Sequence, residues 1–387
     1  MIIEDKMSSK NALFLLPDLQ GGGAERVTLN VVSGIAARSG HAGICMLGRV
    51  IIAHKMPGNL TLDKELLHPK SVVQPKTSRI RLVRLLRQVV ACKVIVGALE
   101  IKTHLVAVCL GFVFRRPILL WLHKDLRVFL ARKGLIARYV YKTLFSINLY
   151  FSHKIVVVSV GAANSLAGVF PGQIKKIICI HNPVDFPETE DDEGAGRHPW
   201  LNGEFILGVG RLVWEKGFDV LIESFFIISD NFPELKLVIL GEGEMRLDLE
   251  RKIERLGLTD RVLLPGFWPP SEAMARAKVV VMSSRSEGLP TVLIEALHRG
   301  SRIVSTDCPS GPMEVLCAGK FGTLVPVDEP AELARGIVDM LVSDDNERSC
   351  SARRARAMDF SSEEIIPQWM ELISSIAEVR ASDSCAK

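Results

Sequence analysis

The sequence predicts an α/β protein of two doubly wound domains, each a parallel sheet wrapped in helices, facing one another across a cleft. Three observations predict it. A length of 387 residues favours two hydrophobic cores over one. Short apolar runs rich in β-branched residues alternate with helical patterns through both halves. One acidic stretch bearing Pro and Gly interrupts the alternation between them.

In the first half the runs 12–16, 43–47, 93–96, 117–122, 154–158 and 176–180 read as strands. Residues 187–203 follow, containing PETEDDEGAGRHP without apolar periodicity, and read as an exposed linker. The second half repeats the scheme with strands expected at 205–210, 236–241, 261–264, 278–282, 302–305 and 323–325. The expected domains are therefore 1–186 and 204–362. Residues 363–387 should hold a last helix, crossing back to the first domain, and a tail. Ligands of open α/β sheets bind beyond the carboxyl ends of the strands, so the chemistry-bearing residues are expected on those loops.

Composition narrows the class. An apolar fraction of 48% with 24% charged residues is that of a globular chain. The eight cysteines are scattered, with no CxxC pair and no zinc-ligand spacing, which fits a reducing cytoplasm. The apolar segment 12–16, preceded by Glu4 and Asp5, is too short for a secretory signal. Net charge is only +4, yet residues 76–154 carry sixteen Lys and Arg against Glu100 and Asp125 alone. The apolar run 105–114 within that stretch is far shorter than the roughly 20 residues that span a bilayer. The basic stretch reads either as a surface touching anionic lipid or a lipid-linked acceptor, or as solvated helix faces. No nucleic-acid partner is expected.

Three sets of residues carry chemistry. The strand ending at Gly210 is followed by Arg211, a short turn, and Lys216-Gly217 opening the helical pattern FDVLIESF. Two cations beside a strand-to-helix loop with free backbone N–H groups suit a diphosphate, a solvated loop being the other reading. The strand 278–282 leads into SSRSEGLPTVLIEALHRG, where Glu287 lies in the loop and Glu295 about one turn into the next helix. Apolar neighbours surround Glu295, so its carboxylate requires strong hydrogen bonds, from ribose hydroxyls or from a distant Lys or Arg. Gly288, Leu289 and Pro290 offer main-chain amides for close approach of a sugar or phosphate. The third set is GGGAERV after the first strand, together with His123 at the end of ILLWL, read as a substrate partner or as a structural histidine. As a dinucleotide fingerprint Gly21-x-Gly23 fails at Arg26, and Gly241-x-Gly243 fails at Arg246, which argues against NAD or FAD.

With these motifs the chain resembles the family-4 retaining glycosyltransferases of the GT-B fold, from about residue 14 to 369. The carboxylate pair and its spacing are the most specific part. The resemblance implies two Rossmann-like domains and a GGxER loop, here Gly22, Gly23, Glu25 and Arg26, over a nucleotide-sugar donor. It implies that His123 contacts the transferred sugar, that Arg211 and Lys216 hold the diphosphate, that Glu287 and the amides of 288–290 face sugar hydroxyls, and that Glu295 binds ribose. It further implies front-side displacement with retention, no cofactor and no catalytic metal. The subgroup closest in wording adds hexoses or N-acetylhexosamines to lipid-linked bacterial glycans, which places the chain at the inner face of the membrane. Met313 stands where that subgroup often has a basic residue, and the run 91–104 is atypical and lies where an acceptor is expected. An epimerase or phosphorylase on the same fold is the enzymatic alternative, although no pyridoxal-phosphate lysine is identifiable. A silent glycan- or membrane-binding subunit would be expected to lack Arg211, Lys216 or Glu295, and all three are present.

Overall fold

The structure is a computed structural model that describes residues 10–17, 23–39, 42–47, 78–186 and 199–385. It divides into two compact units. The first comprises 1–158, 162–185 and 362–387, and the second 159–161 and 186–361.

The first unit is built on β1 (Lys10–Leu16), β2 (Ala42–Met46), β3 (Cys92–Ala98), β4 (Ile118–Leu122), β5 (Lys154–Val157) and β6 (Ile177–Cys179). They form one parallel sheet in the order β2-β1-β3-β4-β5-β6. Strands covered on both faces have no polar face to show, which is why each central strand is a nearly unbroken apolar run. All five residues of β4 are buried. The connections hold α1 (Gly23–Ser39), α2 (Ser78–Ala91), α3 (Ile101–Val113), α4 (Leu126–Ala131), α5 (Leu135–Phe151) and α6 (Val160–Val169). Asp125 starts α4 by accepting a hydrogen bond from the Val128 N–H at 3.0 Å. The atypical run 91–104 is β3 and the first turn of α3; Val94, Ile95, Val96 and Ala98 are fully buried, so most of it forms core instead of an acceptor surface.

The second unit repeats the plan with β7 (Phe205–Val209), β8 (Lys236–Leu240), β9 (Val262–Gly266), β10 (Val279–Met282), β11 (Ile303–Thr306) and β12 (Thr323–Val325), ordered β12-β11-β10-β7-β8-β9. Its helices are α7 (Phe218–Ser229), α8 (Arg246–Arg255), α9 (Pro270–Arg276), α10 (Thr291–Arg299), α11 (Pro312–Val315), α12 (Pro330–Val342) and α13 (Glu347–Met358). All twelve runs read from the sequence are strands, with ends shifted by a residue or two. Of the expected linker, 187–198 lie outside the described residues, whereas 199–202 form a 3-10 turn. There Trp200 is buried against Phe205 and Trp268, with ring centroids 5.8 and 6.5 Å away, so Trp200 and the buried Leu201 are core and not an exposed connection.

The last helix, α14 (Ser362–Cys385), belongs to the first unit and packs on α1, β1 and β3. Its Trp369 is fully buried, 4.4 Å from the ring of Trp121 in β4 and 6.0 Å from Phe14 in β1. Aromatic groups of this size account for much of the apolar area that holds a sheet and its covering helix together.

Candidate active site

In the second unit the chain runs from β7 outward to β8 and β9, then returns to β10 on the other side of β7. The reversal makes the ends of β7 and β10 the switch point, where an open α/β sheet leaves a crevice for ligand. Both motif loops, 210–217 and 283–290, leave the sheet there.

The two loops are fastened to each other by polar contacts that single-sequence reasoning missed. The Arg285 N–H donates to the Glu215 carbonyl at 2.8 Å, and the Ser283 hydroxyl donates to the Lys216 carbonyl at 2.9 Å. The Arg285 guanidinium donates through Nη1 and Nη2 to both Asp219 oxygens, at 2.8 and 2.7 Å, and through Nε to Asp328 at 2.6 Å. It also reaches the Trp214 carbonyl at 2.9 Å and lies 4.8 Å above the indole. Burial works against the Asp219 charge, yet the guanidinium more than offsets it and holds that carboxyl below its usual range. A fork-shaped cation saturated in this way is a bracket for the loops and not a ligand-binding group. Its partners lie 66 and 43 positions away along the chain, so no local pattern announces it.

Gly217 makes the close approach possible. It ends the 3-10 turn 214–216 at φ 62°, and a Cβ there would fall 2.1 Å from the Ser283 carbonyl oxygen. A second close approach occurs at Gly311, φ 97°, where a Cβ would lie 2.4 Å from Pro290 Cδ.

Within this bracket Lys216 Nζ lies 2.6 Å from Glu287 Oε1, and the Ser284 hydroxyl donates to the same oxygen at 2.6 Å. The sequence reading gave these two residues different partners, a diphosphate and a sugar, whereas the structure bonds them to each other. Their side chains keep 23% and 11% of their exposure, so the pair is largely withdrawn from water. Arg211, by contrast, is exposed and has no ion pair among the described residues. Gly288, Leu289 and Pro290 are buried, and the Gly288 carbonyl accepts from the Ser159 hydroxyl at 2.7 Å. The N–H groups of Gly288 and Leu289 donate to no acceptor among the described residues, leaving two donors at the entry of α10. Ser159, 129 positions from Gly288, is another contributor that the sequence did not reveal.

Glu295 is the fifth residue of α10. It is half-buried, on the same stripe as the half-buried Val292 and Arg299, so the expected apolar surround is only partial. The helical period explains this: Leu293, Ile294, Ala296 and Leu297 take the inward face. Cys308 is buried near the pair, and burial followed by the Glu287 charge pushes its thiol up, which makes it unreactive. Met313 is exposed. An open trough of about 660 Å³ adjoins the loops, lined by Arg285, Asp307, Pro309 and residues 324–327, without Lys216 or Glu287.

The remaining site residues belong to the first unit. Gly22 lies outside the described residues, and Gly23 is the first residue of α1. His123 follows β4 and is buried, its ring 4.3 Å from that of Trp121. Neither ring nitrogen has a hydrogen-bond partner among the described residues. Burial, then His104 and Lys124, push its pKa down to about 3, so the imidazole is neutral at physiological pH and offers one donor and one acceptor. Buried polar atoms without partners are uncommon in folded proteins, which makes this ring a candidate ligand contact.

Residues 196–358 match the family described as glycosyl transferases group 1. That stretch holds both motif loops and α10. Residues 196–358 are therefore similar to a group 1 glycosyltransferase domain.

Two curated relatives align with about half of the chain. An uncharacterised glycosyltransferase of Methanocaldococcus jannaschii is 33% identical over 215 residues, 48% of this chain and 53% of that protein. A Campylobacter jejuni protein named as an N-acetylgalactosaminyltransferase acting on a diphospho-undecaprenol glycan is 34% identical over 205 residues, 52% of this chain and 55% of that protein. The chain spans about half the length of these curated relatives. Anabaena HepE, solved with UDP-glucose, superposes with TM-score 0.71 at 21% identity over 94% of this chain and 99% of its own. At that identity the likeness shows the fold alone, and the fold is GT-B.

Proposed function

We propose that the protein is a retaining glycosyltransferase that transfers a hexose or N-acetylhexosamine from a nucleotide-diphosphate sugar to a glycan or lipid-linked acceptor in surface polysaccharide or glycoconjugate synthesis. The observation that carries this reading is the bracketed Lys216–Glu287 pair at the switch point of a group 1 domain, beside the uncommitted Gly288 and Leu289 amides. Support also comes from the neighbour solved with UDP-glucose and from the relative named for a diphospho-undecaprenol substrate.

In the proposed reaction the donor diphosphate lies against Lys216 and the exposed Arg211, with the ribose on Glu295 and the sugar hydroxyls on Glu287 and the amides of 288–289. The acceptor hydroxyl attacks the anomeric carbon on the leaving-group side. The sugar–phosphate bond breaks as the new glycosidic bond forms, and the departing phosphate oxygen takes the hydroxyl proton. Arg211, Lys216 and the amides stabilise the charge that develops on the diphosphate, work given to a divalent metal in other folds. His123, neutral at physiological pH, and Gly22 and Gly23 are proposed as further donor contacts.

We also propose peripheral contact with an anionic membrane, at the cytoplasmic face, where a lipid-linked acceptor is presented. Among the described residues no helix is long and apolar enough to cross a membrane. The deciding experiment incubates the protein with UDP-, GDP- and ADP-sugars and follows release of nucleoside diphosphate and free sugar. Slow hydrolysis of one donor supports the transferase reading. Conversion of a donor to its epimer, or phosphate-dependent cleavage of a glycan, replaces it with the epimerase or phosphorylase alternative. No turnover and no nucleotide binding leaves a silent subunit.

A further inference from the structure

The helix α5 is apolar on the wrong side. It buries Phe145, Asn148 and Leu149 against the first unit's core, as a surface helix should. Its outward stripe ought then to be polar. Instead it exposes Leu135 by 82%, Ile136 by 84%, Tyr139 by 75% and Tyr150 by 68%, at the i, i+3, i+4 spacing of a single face. The neighbouring helix α3, which packs against α5, ends in Phe112 and Val113, exposed by 78% and 69%. Single exposed apolar residues are ordinary on a protein surface, but six large ones on two adjoining helices call for an occupant.

Charge identifies that occupant. Exposed Arg115 follows α3, Arg132 precedes α5, and Lys142 lies on its outward face. Residues 101–124 and 126–184 contain no Asp or Glu at all. A second copy of the same face would bring cations onto cations, so self-association is disfavoured. An apolar stripe edged by Lys and Arg, with tyrosines whose rings have one apolar and one polar end, matches the boundary between headgroups and acyl chains.

We infer that the outward faces of α3 and α5 are a membrane-docking surface that inserts apolar side chains into an anionic bilayer. The inference rests on the membrane contact proposed above and deepens it: the basic stretch attracts the surface, while Leu135, Ile136, Tyr139 and Phe112 enter it. The protein then lies on the membrane, held by insertion as well as by charge.

The test uses the full chain and vesicles of phosphatidylcholine with or without phosphatidylglycerol. Wild-type protein is expected to co-sediment with the anionic vesicles and to stay partly bound at high salt, since insertion is not screened. The double variant Leu135→Ser/Ile136→Ser, at positions too exposed to endanger the fold, should bind at least about tenfold more weakly. Tyr139→Trp should gain fluorescence that brominated acyl chains quench beyond the wild-type level. Donor hydrolysis in solution should be unchanged in both variants, which separates this inference from the catalytic reading. If the serine variant binds like wild type while salt removes all binding, the contact is electrostatic only and the inserted face is wrong. If wild-type protein ignores anionic vesicles altogether, the membrane contact and the docking face fall together. A wild-type dimer that Leu135→Ser/Ile136→Ser converts to monomer would assign the face to a second copy and overturn the inference.

Discussion

Lys216 and Arg211 are proposed to share one anionic target, yet the structure gives them different neighbours, and substitution should separate their two roles. Lys216→Ala removes the counter-ion of Glu287, whose side chain is only 11% exposed, leaving the Ser284 hydroxyl at Oε1. It also removes the aliphatic stem, which runs so close to Gly210 that a Cβ added there would meet its carbons at 3.4–3.5 Å. A hydrogen bond between charged groups contributes about 1.5–3 kcal/mol, and the lower end applies because Lys216 keeps some contact with water. For a unit of this size about 1.5 kcal/mol lowers the melting temperature by about 3–6 °C. Arg211→Ala deletes an exposed side chain with no ion pair among the described residues, so its melting temperature should stay within about 1 °C of wild type.

Turnover should respond the other way, with no such asymmetry. Charge on the departing diphosphate grows toward the transition state, so either alanine variant should lose about 10²–10³-fold in kcat on a confirmed donor, more than it changes KM. The double replacement Lys216→Met/Glu287→Gln tests the separation directly. It removes both charges, so stability should return toward wild type while turnover stays low. Lys216→Arg keeps the charge but puts a broad fork beside Gly210, and should be impaired less than Lys216→Ala. The measurements are differential scanning fluorimetry and steady-state donor turnover. Unchanged stability in Lys216→Ala would show that the ion pair does not hold the loops. Near-normal turnover in both single variants would refute the leaving-group role.

Four further outcomes are expected. Glu295→Gln should weaken nucleotide binding in calorimetry by about 1.5–3 kcal/mol without loss of fold, because the amide keeps the volume but not the charge; equal affinity would return Glu295 to a structural role. Turnover should survive EDTA, and loss on chelation restored by magnesium or manganese would contradict the assignment of the diphosphate to Arg211 and Lys216. Gly217→Ala should destabilise the second unit by more than about 2 kcal/mol in urea unfolding, since it combines a left-handed φ with a Cβ 2.1 Å from the Ser283 oxygen. His123 has a folded pKa of about 3 against an ordinary 6.5, so the unfolded chain binds the extra proton between those values and stability falls as pH drops through that window. From pH 6.5 to 5 this one group removes about 1.6 kcal/mol, and His123→Phe should flatten the pH dependence of the urea unfolding free energy by that amount.

The strands were legible because a parallel sheet covered on both faces writes an unbroken apolar run, and runs such as 118–122 and 279–282 leave little else to read. The loops that carry chemistry were legible for a related reason: they follow those runs, and glycines such as Gly217 mark where the chain must turn. What the sequence hid is how the loops are held. Arg285 reads as one polar residue in SSRSEG until Asp219 and Asp328 arrive from 66 and 43 positions away. Ser159 follows a strand read in the first half of the sequence, yet it bonds the Gly288 carbonyl. The outward face of α5 was hidden too, because its apolar residues look the same in the sequence whether or not anything covers them.

That hidden bracket changes how the proposed donor must bind. A free Lys216 would meet a diphosphate as an isolated cation and lose its hydration in doing so. Bonded to Glu287, the ammonium is already aimed and largely dehydrated, and its charge is balanced by a carboxylate held in place by Ser284. A diphosphate approaching this site competes with that carboxylate, while Glu287 becomes free to accept from sugar hydroxyls. Nucleotide without a sugar supplies the first exchange but not the second, because Glu287 then loses its cation and gains no donor. The sugar and the diphosphate are therefore expected to bind cooperatively through this one pair. In Glu287→Gln the diphosphate no longer competes with a carboxylate, so the preference for donor over free nucleoside diphosphate should shrink. Equal donor-to-nucleotide affinity ratios in wild type and Glu287→Gln would break the argument, because they would mean that the ion pair and the sugar do not share Glu287.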